Sequence, residues 1–163
     1  TFYKYLKSQI NDVNYISVSH LNINTCLNCG YCTTKEYRKC VLKDDMQDLL
    51  YTMAQSEKLI LVSPIIFGSY SSKIKKILDR LAILGDVHYH IVNKEMVKGT
   101  VTKQNGLYTI GIKENCSPEE KELFLHLVDE NVKIINVKGK GVVIDHLENL
   151  TPLKQFAEVV INA

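Results

Sequence analysis

Two short apolar runs constrain the fold more than anything else in the chain. "KLILVSP", Lys58 to Pro64, and "LYTIGI", Leu107 to Ile112, are continuous rather than alternating. A strand reads this way when both its faces are buried, which is the situation of central strands in a parallel sheet. Parallel neighbours need a crossover, and segments of helical period supply it. Ile74, Ile77, Leu78, Leu81 and Leu84 face inward behind a cap at Ser71 or Ser72, with Lys73, Lys75 and Lys76 turned out and Gly85 as the stop. Ser117, Pro118 and Glu120 open another helix, with Leu123, Phe124, Leu127 and Val128 on its inner side.

The remaining elements follow the same logic. Phe2, Tyr5, Leu6 and Ile10 make one face of a first helix, and Tyr15, Ile16 and Val18 alternate as in an edge strand. Asp44 and Gln47 form a capping box ahead of Met46, Leu49, Leu50, Met53 and Ala54. "VKIINV", running on past the glycines into "GVVID", is the last strand. Thr151 and Pro152 then open a final helix packed through Leu153, Phe156, Ala157 and Val160. Residues 85–106 are polar and irregular, an insertion or lid rather than a core element. Strands alternating with helices define an α/β domain with a mostly parallel sheet. Its default ligand site lies at the carboxyl ends of the strands, in the loops Pro64 to Tyr70 and Lys113 to Cys116.

The chain has 163 residues, and a domain near that size buries about 70% of its unfolded surface. One domain over residues 1–163 is therefore expected, with no need of disulfides for stability. A net charge of +2 with scattered basic residues offers neither a stripe for nucleic acid nor a polybasic membrane segment. No apolar run approaches the roughly 20 residues that span a bilayer, and the first residues lack the pattern of a secretory leader. A cytoplasmic address, where thiols stay reduced, is the expectation.

Against that background the segment "NTCLNCGYCTTKEYRKCVLKDDM" stands out. Cys26, Cys29, Cys32 and Cys40 give C-x2-C-x2-C-x7-C within residues 24–43. Three cysteines at two-residue spacing match the tight loop that bacterial ferredoxins wrap around a cubane cluster, and Gly30 suits such a turn. Zinc accepts the same thiolates but more often sits between two separated C-x2-C pairs. The spacing favours a 4Fe-4S cluster and leaves zinc as the alternative. Lys35, Arg38, Lys39 and Lys43 would offset the charge of an anionic cluster. Cys116 stands apart as a plain loop residue, and His88 with His90 forms an H-x-H in the polar insertion that reads as exposed rather than metal-binding.

The cysteine loop, "KDDM", and "LILVSPIIFGSYSSKIKKILDRL" occur in an order that resembles the iron–sulfur flavoprotein branch of the NADPH-dependent FMN reductase superfamily. The resemblance covers about Thr1 to Leu84; beyond Gly85 only the general architecture matches. It implies a flavodoxin-like sandwich with strand order 2-1-3-4-5, FMN as prosthetic group, a homodimer or homotetramer, and a nicotinamide or ferredoxin as electron donor. It also implies a cluster lying near a flavin held at a subunit contact. Carried over, Cys26, Cys29, Cys32 and Cys40 would hold the cluster. Ser63, Pro64, Ile65, Ile66, Phe67 and Gly68 would pass beside the isoalloxazine, with Pro64 to Phe67 lining the ring. Gly111, Glu114 and Asn115 would close its other side, although the family's glycine-rich version of that loop is absent. Ser69, Tyr70 and Asp79 read as capping and packing residues, and no side chain stands out as an acid, base or nucleophile. The family's first strand and phosphate loop precede the first helix, so about ten to twenty residues are expected upstream of Thr1, with Thr1 contributing to the phosphate site. Two other functions remain open: a cluster-free FMN reductase with zinc-bound or unliganded cysteines, and a non-enzymatic flavodoxin-like binding module.

Overall fold

The computed structural model describes all residues except 1, 11, 147 and 149. Its frame is three parallel strands, β1 (Lys58–Ile66), β5 (Gly106–Ile112) and β6 (Lys138–Ile144). A two-residue strand, β2 (Ser69–Tyr70), folds back antiparallel on β1, giving the order β2-β1-β5-β6. The three adjacent parallel strands agree with the last three of the expected 2-1-3-4-5 order, and no parallel strands in the positions of its first two are found among the described residues.

Helices cover both faces, as the continuous apolar runs require. On one face α3 (Met46–Gln55), α4 (Ser72–Arg80) and α5 (Pro118–Ile135) bury Leu50, Met53, Ile74, Ile77, Phe124 and Val128 against Leu59, Leu61, Ile65 and Leu107. On the other, α1 (Phe2–Gln9) and α6 (Leu150–Asn162) bury Phe2, Leu6, Leu153, Phe156 and Val160 against Tyr108, Ile110 and Ile144. Alternate residues of β5 thus serve opposite layers, so neither face of the strand is wet. A short helix, α2 (Tyr31–Thr34), lies inside the cysteine segment.

Several local expectations are corrected. Tyr15, Ile16 and Val18 form no strand: a strand needs a neighbour for its N–H and C=O groups, and none is described beside them. Tyr15 instead lies against Tyr3, ring centroids 5.5 Å apart. Among the described residues, the edge of β1 away from β5 is paired only at Ile65 and Ile66, by β2. Val132 to Ile135 belong to the end of α5, not to the last strand. Asn136, left-handed at φ 56°, stops that helix, and β6 begins at Lys138. The polar insertion contains a hairpin of β3 (His90–Val92) and β4 (Glu95–Val97), turned by Asn93 and Lys94, both at positive φ. Helix α4 ends at Arg80, and Leu81–Ile83 continue as a 3-10 turn.

Phe124 is fully buried and meets the Tyr70 ring edge-on, linking α5 to the hairpin at the carboxyl end of β1. Phe124→Ala is expected to cost about 3–5 kcal/mol of stability, read by urea denaturation.

Candidate functional site

The cysteine loop is closed at its neck by two aspartates. Asp45 accepts the Asn22 N–H at 2.7 Å, and its own N–H donates to the Asn22 carbonyl at 3.3 Å. Asp44 accepts the Asn24 N–H at 2.8 Å, the Asn24 side-chain amide at 3.0 Å and the Met46 N–H at 3.2 Å. Beneath it, Arg80 Nη1 donates to both Asp44 oxygens at 2.7 and 2.8 Å, and both side chains are 1% exposed. The expected capping box does not form: the Asp44 carboxylate takes the N–H of Met46, the first residue of α3, and is otherwise engaged by Asn24 and Arg80, while Asp45 at the N-cap position makes no side-chain cap.

Helix α4 supplies the floor of this neck. Lys73 Nζ donates to the Leu21 carbonyl at 3.3 Å, Lys76 Nζ to Ile23 at 3.1 Å, and Arg80 Nη1 to Asn24 at 3.4 Å. These cations recur three and four residues apart, so one stripe of the helix receives successive carbonyls of the incoming chain. Lys73, which is exposed, and the half-buried Lys76 therefore also hold the segment leading into the loop. Lys75 does sit at the surface, paired with Asp79, which neither caps nor packs.

Burial alone would raise the Asp44 pKa, but the Arg80 and Asn24 donors outweigh it and hold the carboxyl at about 2. Burial likewise disfavours the Arg80 charge, yet Asp44 and then Cys40 raise its pKa overall. Arg80 Nε and Nη2 are buried without hydrogen-bond partners, a state that costs on the order of 1–3 kcal/mol per group.

Inside the loop the chain reverses through left-handed residues at Asn28 and Gly30, φ 50° and 66°. Gly30 adopts this without steric cost and starts α2 between Cys29 and Cys32. All five cysteines are free thiols; Cys26 and Cys29 are exposed, Cys32 and Cys40 half-buried. Burial raises the Cys32 pKa, and its neighbours Cys40 and Cys26 raise it further, while Lys98 lowers it. Three of the four thiols are thus electrostatic neighbours. No three His, Cys, Asp or Glu side chains converge on a single-ion position among the described residues. The polar insertion borders the loop: Arg38 donates to the Val101 carbonyl at 3.0 Å, and Lys98 lies near Cys32. A cleft of about 660 Å³ opens beside Cys40, between Arg38, Lys43, Leu50 and Leu84.

The second group of predicted residues lies at the opposite end of α4. Along β1, Leu61, Ser63 and Ile65 turn into the core while Val62, Pro64 and Ile66 are exposed. Ser63 Oγ accepts the Ser71 N–H at 2.9 Å and donates to the Pro64 carbonyl at 2.8 Å, fixing the hairpin to the start of α4. Phe67 and Gly68 form the hairpin turn with φ of 48° and 70°, and Phe67 is 91% exposed. A bulky residue at positive φ is uncommon and strained. Pro64, Ile66 and Phe67 thus offer an open apolar ledge. A Cβ at Gly111 would meet Phe124 at 2.5 Å and Ile65 at 2.8 Å, so this glycine lets α5 approach the sheet and leaves only its backbone for a ligand. Glu114 and Asn115 are exposed in the loop after β5, with Glu114 4.0 Å from His146. Thr1 lies outside the described residues. Tyr70 is a packing residue, as expected, and His88 and His90 both lean on Asp86.

Sequence reasoning missed the Asp44–Arg80 pair. Its signal was present in "KDDM" and "DR", but a pairing across 36 positions has no local period that would reveal it.

The fold and these two sites define a flavodoxin-like α/β protein with a cysteine-rich loop. The family model described as NADPH-dependent FMN reductase matches residues 1–105, more than half of the chain. An iron-sulfur flavoprotein of Methanocaldococcus jannaschii is 36% identical over 76 residues, covering 47% of this chain and 38% of that protein. A second iron-sulfur flavoprotein of that organism is 35% identical over 69 residues, covering 42% and 35%. One from Methanosarcina thermophila is 25% identical over 83 residues, covering 51% and 42%. The chain therefore matches well under half the length of these relatives. It belongs to the NADPH-dependent FMN reductase family and, over part of its length, is similar to iron-sulfur flavoproteins. No described helix is long and apolar enough to cross a membrane.

Asp44 gives a pH signature to the loop neck. Its folded pKa lies below the unfolded value of about 3.9, so its contribution to stability is complete above that value and is lost as pH falls toward 2. Acid unfolding monitored by circular dichroism is expected to lose a component between about pH 4 and 2 in Asp44→Asn.

Proposed function

We propose that this protein is an FMN-dependent electron-transfer oxidoreductase whose loop cysteines Cys26, Cys29, Cys32 and Cys40 hold a 4Fe-4S cluster. The observation that carries this reading is four free thiols on one loop, its neck locked by a buried ion pair and bordered by Arg80 and Lys98. That donor set fits an anionic cluster, since thiolates bind it and the cations offset its charge. Relatives bearing the name iron-sulfur flavoprotein support the same assignment.

The ledge at the carboxyl end of β1 fits a flavin. Pro64, Ile66 and Phe67 would cover one face of the ring and exclude water from it, and backbone groups of Ser63 to Gly68 would meet its polar edge. Glu114 and Asn115 lie on the adjoining loop, where they would approach the other side. When bound, FMN supplies hydride and one-electron chemistry, and the cluster supplies a one-electron relay. Nicotinamide or ferredoxin is the donor in this reading.

Geometry also supports assembly of two or more copies. The ledge and the loop neck stand at opposite ends of α4, whose nine residues span roughly 13 Å. A flavin held at a contact with another copy would shorten the path to a cluster, and the exposed Phe67, Ile91 and Met96 offer apolar surface for such a contact.

The test is anaerobic purification of the full-length protein, with iron, zinc and extracted FMN assayed per chain and the mass measured by sedimentation. About four irons and one FMN per chain in a dimer or tetramer are expected. Cys29→Ser should lose iron and keep FMN. FMN with zinc or no metal would establish a cluster-free reductase instead, and neither cofactor would point to a binding module.

A further inference from the structure

The guanidinium of Arg80 is only half used. Its side chain is 1% exposed, and Nη1 is engaged by both Asp44 oxygens at 2.7 and 2.8 Å. Of the five N–H donors an arginine carries, those on Nε and Nη2 remain, and both atoms are buried without a partner. Cys40 is the next ionisable neighbour of this guanidinium after Asp44 and favours its charge, while Nε and Nη2 themselves remain unpaired. Cys40 is half-buried and packs against the core beside the loop neck. The fork is rigid and Asp44 fixes its orientation, so the unused edge is held ready for an acceptor.

We propose that Arg80 is a positioning and tuning residue for the cluster, its Nε and Nη2 groups donating to the Cys40 thiolate of the loaded loop. The inference rests on the cluster reading above. Donors aimed at a ligating sulfur stabilise the negative charge that the cluster gains on one-electron reduction, and so raise its potential. They also hold the sulfur in place against loss of iron.

Arg80→Lys tests this, because lysine keeps a cation for Asp44 but has no second edge to offer Cys40. The full-length protein is purified anaerobically, and three quantities are compared with wild type: the cluster potential by titration followed by electron paramagnetic resonance, the rate of iron loss to a chelator, and the FMN content. The expected result is a more negative potential, iron lost roughly tenfold faster or more, and unchanged FMN. The double variant Asp44→Asn, Arg80→Gln removes both charges together, avoids a lone buried ion, and should shift the potential the same way if the lysine variant does not fold. A lower melting temperature with wild-type potential and iron retention in both variants would overturn the inference and leave the cluster reading standing. Wild-type protein without iron would overturn both.

Discussion

The buried pair of Asp44 and Arg80 ties the cysteine loop to the sheet. Asp44 sits at the end of the loop and binds Asn24 at its start, so one carboxylate fixes both ends of a twenty-residue excursion. Arg80, at the last turn of α4, carries that fixed point down to the core, where Ile74 and Ile77 of the same helix are buried. Two charges taken out of water stabilise only when their geometry and remaining hydrogen bonds are good, and losing one partner typically costs 3–5 kcal/mol. Here the carboxylate has donors from Asn24, Met46 and Arg80, which is a nearly complete set. The guanidinium is not so complete. A well-satisfied acid facing a half-satisfied base is the asymmetry expected when the base has a second task.

The same helix organises function along its length. At its start, the hairpin turn of Phe67 and Gly68 and the serine pair Ser63 and Ser71 shape an apolar ledge at the carboxyl ends of the strands. At its end, Arg80 anchors the neck of the cysteine loop through Asp44 and Asn24. Between them, Lys73 and Lys76 guide the incoming chain by its carbonyls. One helix therefore borders both candidate sites while keeping them at its opposite ends.

Much of this was legible in sequence, for stated reasons. Continuous apolar runs identified β1 and β5 because burial on both faces leaves no alternation to see. Ser117 capped α5 as its spacing foretold, accepting the Glu120 N–H at 3.2 Å. The cysteine spacing and the family likeness located the loop. What escaped was non-local or depended on an absent neighbour. Tyr15 to Val18 have the composition of a strand but nothing described to pair with, and propensity does not make a ladder alone. The tail of α5 was misjudged because "VKII" is β-branched and apolar, and only Asn136 in a left-handed conformation shows where the helix stops. The basic stripe of α4 looked like only a solvated face because lysines usually are solvated. Ser63 and Gly111, placed beside a ligand by likeness, also have structural tasks that only packing reveals, one hydrogen-bonding the start of α4 and the other making room for Phe124.

The central claim is that the cysteine loop of this chain carries an iron–sulfur cluster in a flavin-binding protein. Electron paramagnetic resonance of the anaerobically purified, dithionite-reduced full-length protein tests it most directly. The account predicts the fast-relaxing signal of a reduced cubane cluster, absent in a Cys32→Ser variant that retains its flavin. A wild-type protein with a full complement of FMN and only a flavin signal would contradict it.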